Sequence, residues 1–472
     1  MAIDSQHIQV RLVTSHSAYQ LPDKPILVPV LFRRYQLSEL VNHLLVLPSP
    51  VPFAFVIDNQ ALAGTLSQYL KSNPEVSTEN VLTLEYSEIL APPKHVVENK
   101  VDDWISQVQI NPSNGLILVG SYDGTSKVFD RQGQCLHSLT SHSASIKGVA
   151  WVPTRLGHDT GFAYLTSAQD RTIVAWHFDQ NYSSASSADT ESRTNGTTTV
   201  AASTCSSQAL FECHGHTGSI EALAVSPDHA QFASASSDGL IKLWSMRVPS
   251  DNDDEDLEDA DESEFHEVAN QKRRKLGGQA VPLKRALGSC VGHQGGINAV
   301  TYHPTDAKFM YSGGWDYALR VWDVEYRVNV TTKPGDRMIL DMAYSPMSPL
   351  IATGNADRLI RLWDPRSSEN ALVRQTLSSH RAWTSSVSWS LTSSHLLASG
   401  SYDGTVRLWD IRNPTQATYT FKPAATSTSD AEGAIPPTSK GLDPKVLSVD
   451  WQGDLLASGG EDGFLRLMST AQ

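Results

Sequence analysis

Residues 396–410 read Leu-Leu-Ala-Ser-Gly-Ser-Tyr-Asp-Gly-Thr-Val-Arg-Leu-Trp-Asp. A short apolar run, a tight Asp-Gly turn and a second short run in which Val406 and Leu408 alternate with Arg407 spell strand, two-residue turn, strand. The same unit recurs along the chain from about residue 103. Its turn aspartates are Asp123, Asp170, Asp238, Asp316, Asp357, Asp403 and Asp462, and six residues after each stands Phe129, Trp176, Trp244, Trp322, Trp363, Trp409 or Met468. That makes seven units. Successive aspartates lie 47, 68, 78, 41, 46 and 59 residues apart, so three connections exceed the ~40–45 residues of a bare repeat of this kind. The excess falls near 180–210, 248–288 and 413–441, and these insertions are expected to be unstructured and flexible.

Four units add a histidine ahead of the strand pair: His142 with Asp170 and Trp176, His216 with Asp238 and Trp244, His293 with Asp316 and Trp322, and His380 with Asp403 and Trp409. The pattern resembles the WD-repeat family, in which such a trio links loop, turn and strand within one blade of a β-propeller. A blade packed face to face with its neighbours has to pair its buried polar groups, at roughly 1–3 kcal/mol for each one left unsatisfied. Recurrence in four separate units assigns these residues to the scaffold and not to catalysis. Three units depart from the pattern. No Gly-His precedes the first, Asp336 stands near the histidine position of the fifth, and Met468 replaces Trp in the seventh. The chain ends just past the third strand of the seventh unit, and residues 90–100 are the natural donor of its outer strand.

Composition narrows the function. The 472 residues are 40% hydrophobic, enough to bury a core. No leader and no membrane span are expected, because the first thirty residues lack an apolar segment and no stretch approaches the ~20 apolar residues that cross a bilayer. Cys135, Cys205, Cys213 and Cys290 form no CxxC pair, which speaks against zinc and disulfides and for a reducing compartment. Of the net charge of −14, ten negative charges sit in the run from Asp251 to Glu264. The rest of the surface is nearly balanced, which leaves no broad basic face for duplex nucleic acid. Walker, GxSxG, HExxH and dinucleotide signatures are absent, so no enzyme activity and no cofactor are expected.

The first ninety residues are a different body. Residues 7–14 and 26–33 alternate as two strands, and Ser38 offers an N-cap to a helix whose Leu37, Leu40, Val41, Leu44 and Leu45 share one face. Residues 53–57, 66–70 and 81–86 follow as strand, helical turn and strand, which gives the ββαβαβ order of a β-grasp. Arg34-Tyr35-x-Leu37-Ser38-x-x-Val41-Asn42-His43-Leu44-Leu45, then Pro50-Val51-Pro52-Phe53-x-Phe55 and Leu84-Glu85-Tyr86, resemble the NLE-type ubiquitin-like domain. Joined to WD repeats, that domain marks two kinds of ribosome-assembly factor, the eight-bladed notchless protein and the seven-bladed WD-repeat subunit of the pescadillo/block-of-proliferation complex. Seven units resemble the second.

The resemblance implies an all-β seven-bladed WD40 β-propeller preceded by a small α+β ubiquitin-like domain. Residues 1–90 would form that domain, 91–102 a linker and closing strand, and 103–472 the propeller. It implies a non-catalytic factor of the large (60S) subunit, acting in pre-rRNA processing in nucleus, nucleolus and nucleoplasm. The propeller would bind the block-of-proliferation protein and so join pescadillo, and the N-terminal domain would dock on the midasin AAA ATPase. In that docking Glu79 would complete the coordination of a metal held by midasin, a carboxylate oxygen being what a hard cation with an open position takes. The chain alone binds no metal on this reading. Glu85 and Glu88 are nearby competitors.

Two further signals stand outside the repeats. Lys272, Arg273, Arg274 and Lys275 form a basic cluster suited to nuclear import receptors or to RNA phosphates. Trp363-Asp364-Pro365-Arg366 and Trp409-Asp410-Ile411-Arg412 repeat a WDxR motif through which some propellers dock on the adaptor of cullin-RING ubiquitin ligases, which supplies the alternative function of substrate receptor. Trp383, beside Arg381 in the loop after His380, is either packed between blades or an exposed interface anchor.

Overall fold

The computed structural model describes residues 7–14, 19–47, 50–57, 60–62, 64–73, 81–89, 92–152, 162–180, 205–249, 273–276, 279–366, 373–422 and 443–470. Two compact units separate close to Pro93.

In the N-terminal unit, β1 (His7–Val13), β2 (Ile26–Pro29), α1 (Arg34–Leu45), β3 (Phe53–Ile57), β4 (Gln60–Ala61), α2 (Leu66–Ser72) and β5 (Leu82–Glu88) form a mixed sheet in the order β2-β1-β5-β3-β4. β1 runs parallel to the central strand β5, pairing Leu12 with Leu84. Alternation buries Ile8, Val10 and Leu12 of β1 and Leu82, Leu84 and Tyr86 of β5 against Leu37 and Val41 of α1. The strand predicted over 26–33 stops at Pro29, where the Phe32 N–H closes a turn onto the Pro29 carbonyl (3.0 Å).

Ser38 is not the N-cap. The helix starts a turn earlier, where the Arg33 N–H bonds Gln36 Oε1 (2.9 Å), and Ser38 lies buried inside it. Its hydroxyl accepts the Phe53 N–H (3.0 Å) and donates to the Val51 carbonyl (3.2 Å). Asn42, one turn on, grips Val51 from both sides at 2.7 and 2.8 Å. The spacing of Ser38, Asn42 and Val51-Pro52-Phe53 therefore records a helix-to-strand clasp. Leu44, expected on the packed face, is 40% exposed.

In the second unit, seven antiparallel sheets succeed one another at 105–140, 146–213, 220–291, 297–334, 339–378, 384–421 and 446–469. Each inner strand packs beside the next, and the inner strand of blade 7 packs beside that of blade 1. The outer strand of blade 7 is β6 (Lys94–Lys100), which runs antiparallel to Phe464–Ser469. Ring and edge are closed together, so blade 7 presents the same four strands as its neighbours. The core is layered between blades. Phe211, Cys213 and Leu165 of blade 2 meet Phe232 and Trp244 of blade 3, and Leu243 and Cys290 of blade 3 meet Met310 and Trp322 of blade 4.

Other seams are crossed by side chains that accept the neighbouring strand's N–H groups. Gln107 and Gln109 of blade 1 take Val149 and Trp151 (2.7 and 2.6 Å), and Asp341 of blade 5 takes Val387 (2.9 Å). Ser386 and Ser388 of blade 6 take Val449 and Trp451 (3.2 and 3.1 Å), and Ser448 and Asp450 of blade 7 take Val108 and Ile110 (3.0 and 2.7 Å). Asn298 donates from blade 4 to the Ile339 carbonyl (2.9 Å). Among the described residues no such bond joins the inner strands of blades 2 and 3, or of 3 and 4.

Most of each insertion lies outside the described residues, and strands are described at their margins. Blade 2 keeps its strands as far as Gln180 and resumes at Cys205, and Tyr419–Phe421 forms the outer strand of blade 6. Within 248–288, Arg273–Leu276 and Gln279–Lys284 pair as a hairpin, and the latter lies parallel to the outer strand of blade 2, making that sheet six-stranded. An open strand edge supplies the unpaired N–H and C=O groups that such a segment needs. No helix among the described residues is long and apolar enough to cross a membrane.

Candidate functional site

Each complete His–Asp–Trp trio contains a fourth member, a hydroxyl on the second strand. In blade 3 the His216 Nδ1 faces Asp238 (2.8 Å), its Nε2 faces Ser234 Oγ (2.7 Å), and Trp244 Nε1 donates to the same hydroxyl (2.8 Å). Blade 4 repeats this with His293, Asp316, Ser312 and Trp322 at 2.8, 2.6 and 2.7 Å. Blade 6 uses His380, Asp403, Ser399 and Trp409 at 3.1, 2.7 and 2.7 Å. Blade 2 uses His142, Asp170, Thr166 and Trp176 at 3.1, 2.8 and 3.0 Å. With Nδ1 protonated, the hydroxyl donates to Nε2 and accepts from the indole, so every polar atom of the chain is used.

The Ser or Thr stands four residues before each turn aspartate, a fixed offset carried by the sequence itself. The imidazoles are wholly buried. Burial opposes ionisation of Asp316, but hydrogen bonds from His293, its charge and the Ala318 N–H outweigh it and hold the carboxyl at about 2. Asp170, Asp238 and Asp403 are lowered in the same way. Burial lowers His380 against the pull of Asp403. Their polar atoms are spent on one another.

Two of the irregular blades hold the turn aspartate, without a histidine, by the arginine four residues on, a contact that Arg320 and Arg407 add to the relay in blades 4 and 6. In blade 5 Arg361 holds Asp357 (2.8 Å) while Trp363 donates to Thr353 (2.9 Å), and in blade 7 Arg466 holds both Asp462 and Glu98 of β6. Asp336, near the vacant histidine position, is exposed. Blade 1 has neither relay nor arginine, and Lys127 pairs with Asp102 instead.

The WDxR pair divides. The Arg412 guanidinium is folded back onto its own Asp410 (2.7–3.1 Å). Arg366 lies close enough to His303 to reinforce, by its charge, the lowering that burial imposes there. Glu79 and its loop, 74–80, lie outside the described residues. They join α2 to the central strand β5. Of the two competitors, Glu88 accepts the Tyr19 hydroxyl (3.1 Å) and Glu85 is half-buried within β5. Lys272 also lies outside the described residues, whereas Arg273, Arg274 and Lys275 fall on the first strand of the hairpin at blade 2.

Residues 8–70 match the NLE (NUC135) domain, and 92–130, 207–245, 284–323, 328–364 and 372–410 match the WD domain, G-beta repeat. Each matched repeat spans the outer strand of one blade and three strands of the next. A protein of Nematostella vectensis bearing the name ribosome biogenesis protein WDR12 homolog is 31% identical over 468 residues, covering 98% of this chain and 99% of the relative. The chain belongs to the WDR12 family of ribosome biogenesis proteins. WDR12 homologs of Drosophila pseudoobscura pseudoobscura (31% over 466 residues, 98% and 95% covered) and Ixodes scapularis (29% over 473 residues, 98% and 99% covered) extend the likeness over both units. Neither matched model is that of an enzyme. The two blades of this WDR12-family ring whose first three strands the repeat model does not reach are the second and the seventh. The seventh carries Met468 at the position of the repeat tryptophan.

Proposed function

We propose that this chain is a non-catalytic assembly factor of the large ribosomal subunit, working in the nucleus on pre-rRNA-containing particles. The observation that carries the reading is the joining of an NLE-type domain to a seven-bladed ring along the full length of WDR12-family relatives. The ring is a scaffold. It binds the block-of-proliferation protein and brings it together with pescadillo on the pre-60S particle, in nucleolus and then nucleoplasm. The N-terminal domain is the handle for the midasin ATPase, with Glu79 reaching the metal that midasin holds. Lys272, Arg273, Arg274 and Lys275 serve nuclear import. The relay histidines and aspartates are committed to one another by hydrogen bonds, which supports a structural role for them, since groups so engaged are poor carriers of protons to a substrate.

Affinity purification of the tagged full-length chain with mass spectrometry tests the reading. Pre-60S proteins with pescadillo, the block-of-proliferation protein and midasin are expected, and cullin with its adaptor in their place would overturn it. Glu79→Ala is expected to lose midasin alone, while Arg366→Ala with Arg412→Ala leaves entry into pre-ribosomes intact.

A further inference from the structure

In every blade the residue before the turn aspartate donates its N–H to a carbonyl in the loop entering the inner strand: Tyr122 to Trp104, Tyr402 to Trp383 and Glu461 to Lys445 at 2.9–3.0 Å, and Gln169, Ser237, Trp315 and Ala356 likewise. The fold therefore offers seven equivalent pairs of positions at one end of the ring, and the sequence fills them unequally. Blades 6 and 1 hold Trp–Tyr pairs. Trp383 stacks on Tyr402 (5.8 Å, 26°), and Trp104 meets Tyr122 edge-on (5.7 Å, 72°). Between them blade 7 holds the Lys445–Glu461 ion pair (2.6 Å). Lys445 also covers the Tyr402 ring (5.1 Å), and Lys147 covers that of Tyr122 (4.2 Å). The two pairs belong to one patch, because the inner strand of blade 7 packs beside those of blades 6 and 1 and its Lys445 reaches the Tyr402 ring.

Trp383 and Trp104 are 43% and 37% exposed, whereas the repeat tryptophans Trp244, Trp322, Trp363 and Trp409 are fully buried. Packing of the ring does not account for these two. The charges around them are arranged by sign. Asp123 and the half-exposed Asp103, at the blade 1 end, have no cation partner among the described residues, and the exposed Arg381, at the blade 6 end, has no carboxylate partner. Phosphates are a poor match, since the acidic end repels them and the two lysines are already engaged. Half-exposed Trp and Tyr with oppositely charged flanks suit a folded protein surface, in which aromatic anchors give affinity and the charges fix orientation.

We infer that the aromatic arc over blades 6, 7 and 1 is the docking surface for a protein partner. That partner presents apolar anchor side chains, with a cation toward Asp103 and Asp123 and a carboxylate toward Arg381. The inference rests on the scaffold reading above, and it names the surface that the reading leaves open.

The test is a calorimetric titration of the purified full-length chain with purified block-of-proliferation protein. Trp104→Ala with Trp383→Ala is expected to weaken binding by about a hundredfold or more and Arg381→Glu by about tenfold. Trp315→Ala, an exposed tryptophan at the position on blade 4 that Tyr402 fills on blade 6, is expected to stay within about twofold. Unchanged affinity in the double variant, with an unchanged melting temperature, overturns the surface and leaves the partner reading standing. A twenty-nucleotide oligouridine that binds the parent chain and not the double variant overturns the protein-docking assignment in favour of RNA. Failure of the parent chain to bind the protein at all overturns the partner reading, and this inference with it.

Discussion

Blades 2, 3, 4 and 6 are held from within, whereas blades 1, 5 and 7 are held by their neighbours. The first group carries the complete relay from indole to hydroxyl to imidazole to carboxylate. The second lacks it, and every seam touching blade 1, 5 or 7 is crossed by a side chain bonded to the next inner strand's backbone. The two seams without such a bond, 2/3 and 3/4, lie between relay blades and are packed with apolar side chains. A blade can satisfy its buried polar groups internally or across a seam, and this ring does both in different arcs.

That division can be broken in order of severity. Deleting β6 removes the outer strand of blade 7 and the Glu98 that Arg466 holds, and the ring is expected to lose its single cooperative transition in calorimetry. A chain that still melts as one unit would mean that the polar seams alone close it. Asp450→Ala strips acceptors from the Ile110 and Trp451 N–H groups and from the Ser388 hydroxyl, at an expected cost of about 3 kcal/mol in urea denaturation. Faster amide exchange should appear in blade 1 as well as blade 7. His216→Ala is expected to cost about 2 kcal/mol and to raise exchange in blade 3 only. Spread of that effect into blades 2 and 4 would dissolve the distinction.

Acid probes the internal mode. His380 is lowered in the fold, so unfolding takes up a proton and stability begins to fall as pH drops below about 6.5. Asp316, at about 2 in the fold against 3.8, contributes stability that is complete above its unfolded value and is lost as pH falls from about 4 through 2. Melting temperature against pH should show both slopes, and His380→Gln should remove part of the first. The smallest effect is that of Trp383→Ala, expected to shift stability by less than about 0.5 kcal/mol, because its half-exposed ring packs on one tyrosine.

The repeat was legible because turn aspartate and tryptophan are six residues apart in one chain segment, and a local spacing survives whatever lies between repeats. The seam bonds were not. Gln107 and Asp341 stand sixteen residues before their turn aspartates but Asp450 only twelve, the residue types differ, and each finds its partner only when the next blade arrives. The relay was read for three of its four members, since Ser234 and Ser312 look like any strand serine until a histidine is seen above them. Trp383 drew notice from sequence, but Tyr402, nineteen residues on, is brought under it by the turn. Ser38 was misread because an N-cap and a buried helical serine look alike without knowing where the chain bends back at Val51. The hairpin of 273–284 was hidden by its charged neighbours, for its first strand is three cations and a leucine.

The chain passes from the N-terminal unit directly into β6, with only a few residues between Glu88 and Lys94. Any tension applied to that unit therefore enters the propeller through the strand that seals it, loading the register from Lys94–Ser469 to Lys100–Phe464 before any other part of the ring. A force on the first domain would fall on that latch, and the strength of one six-pair ladder would set how much pull the ring bears before it opens.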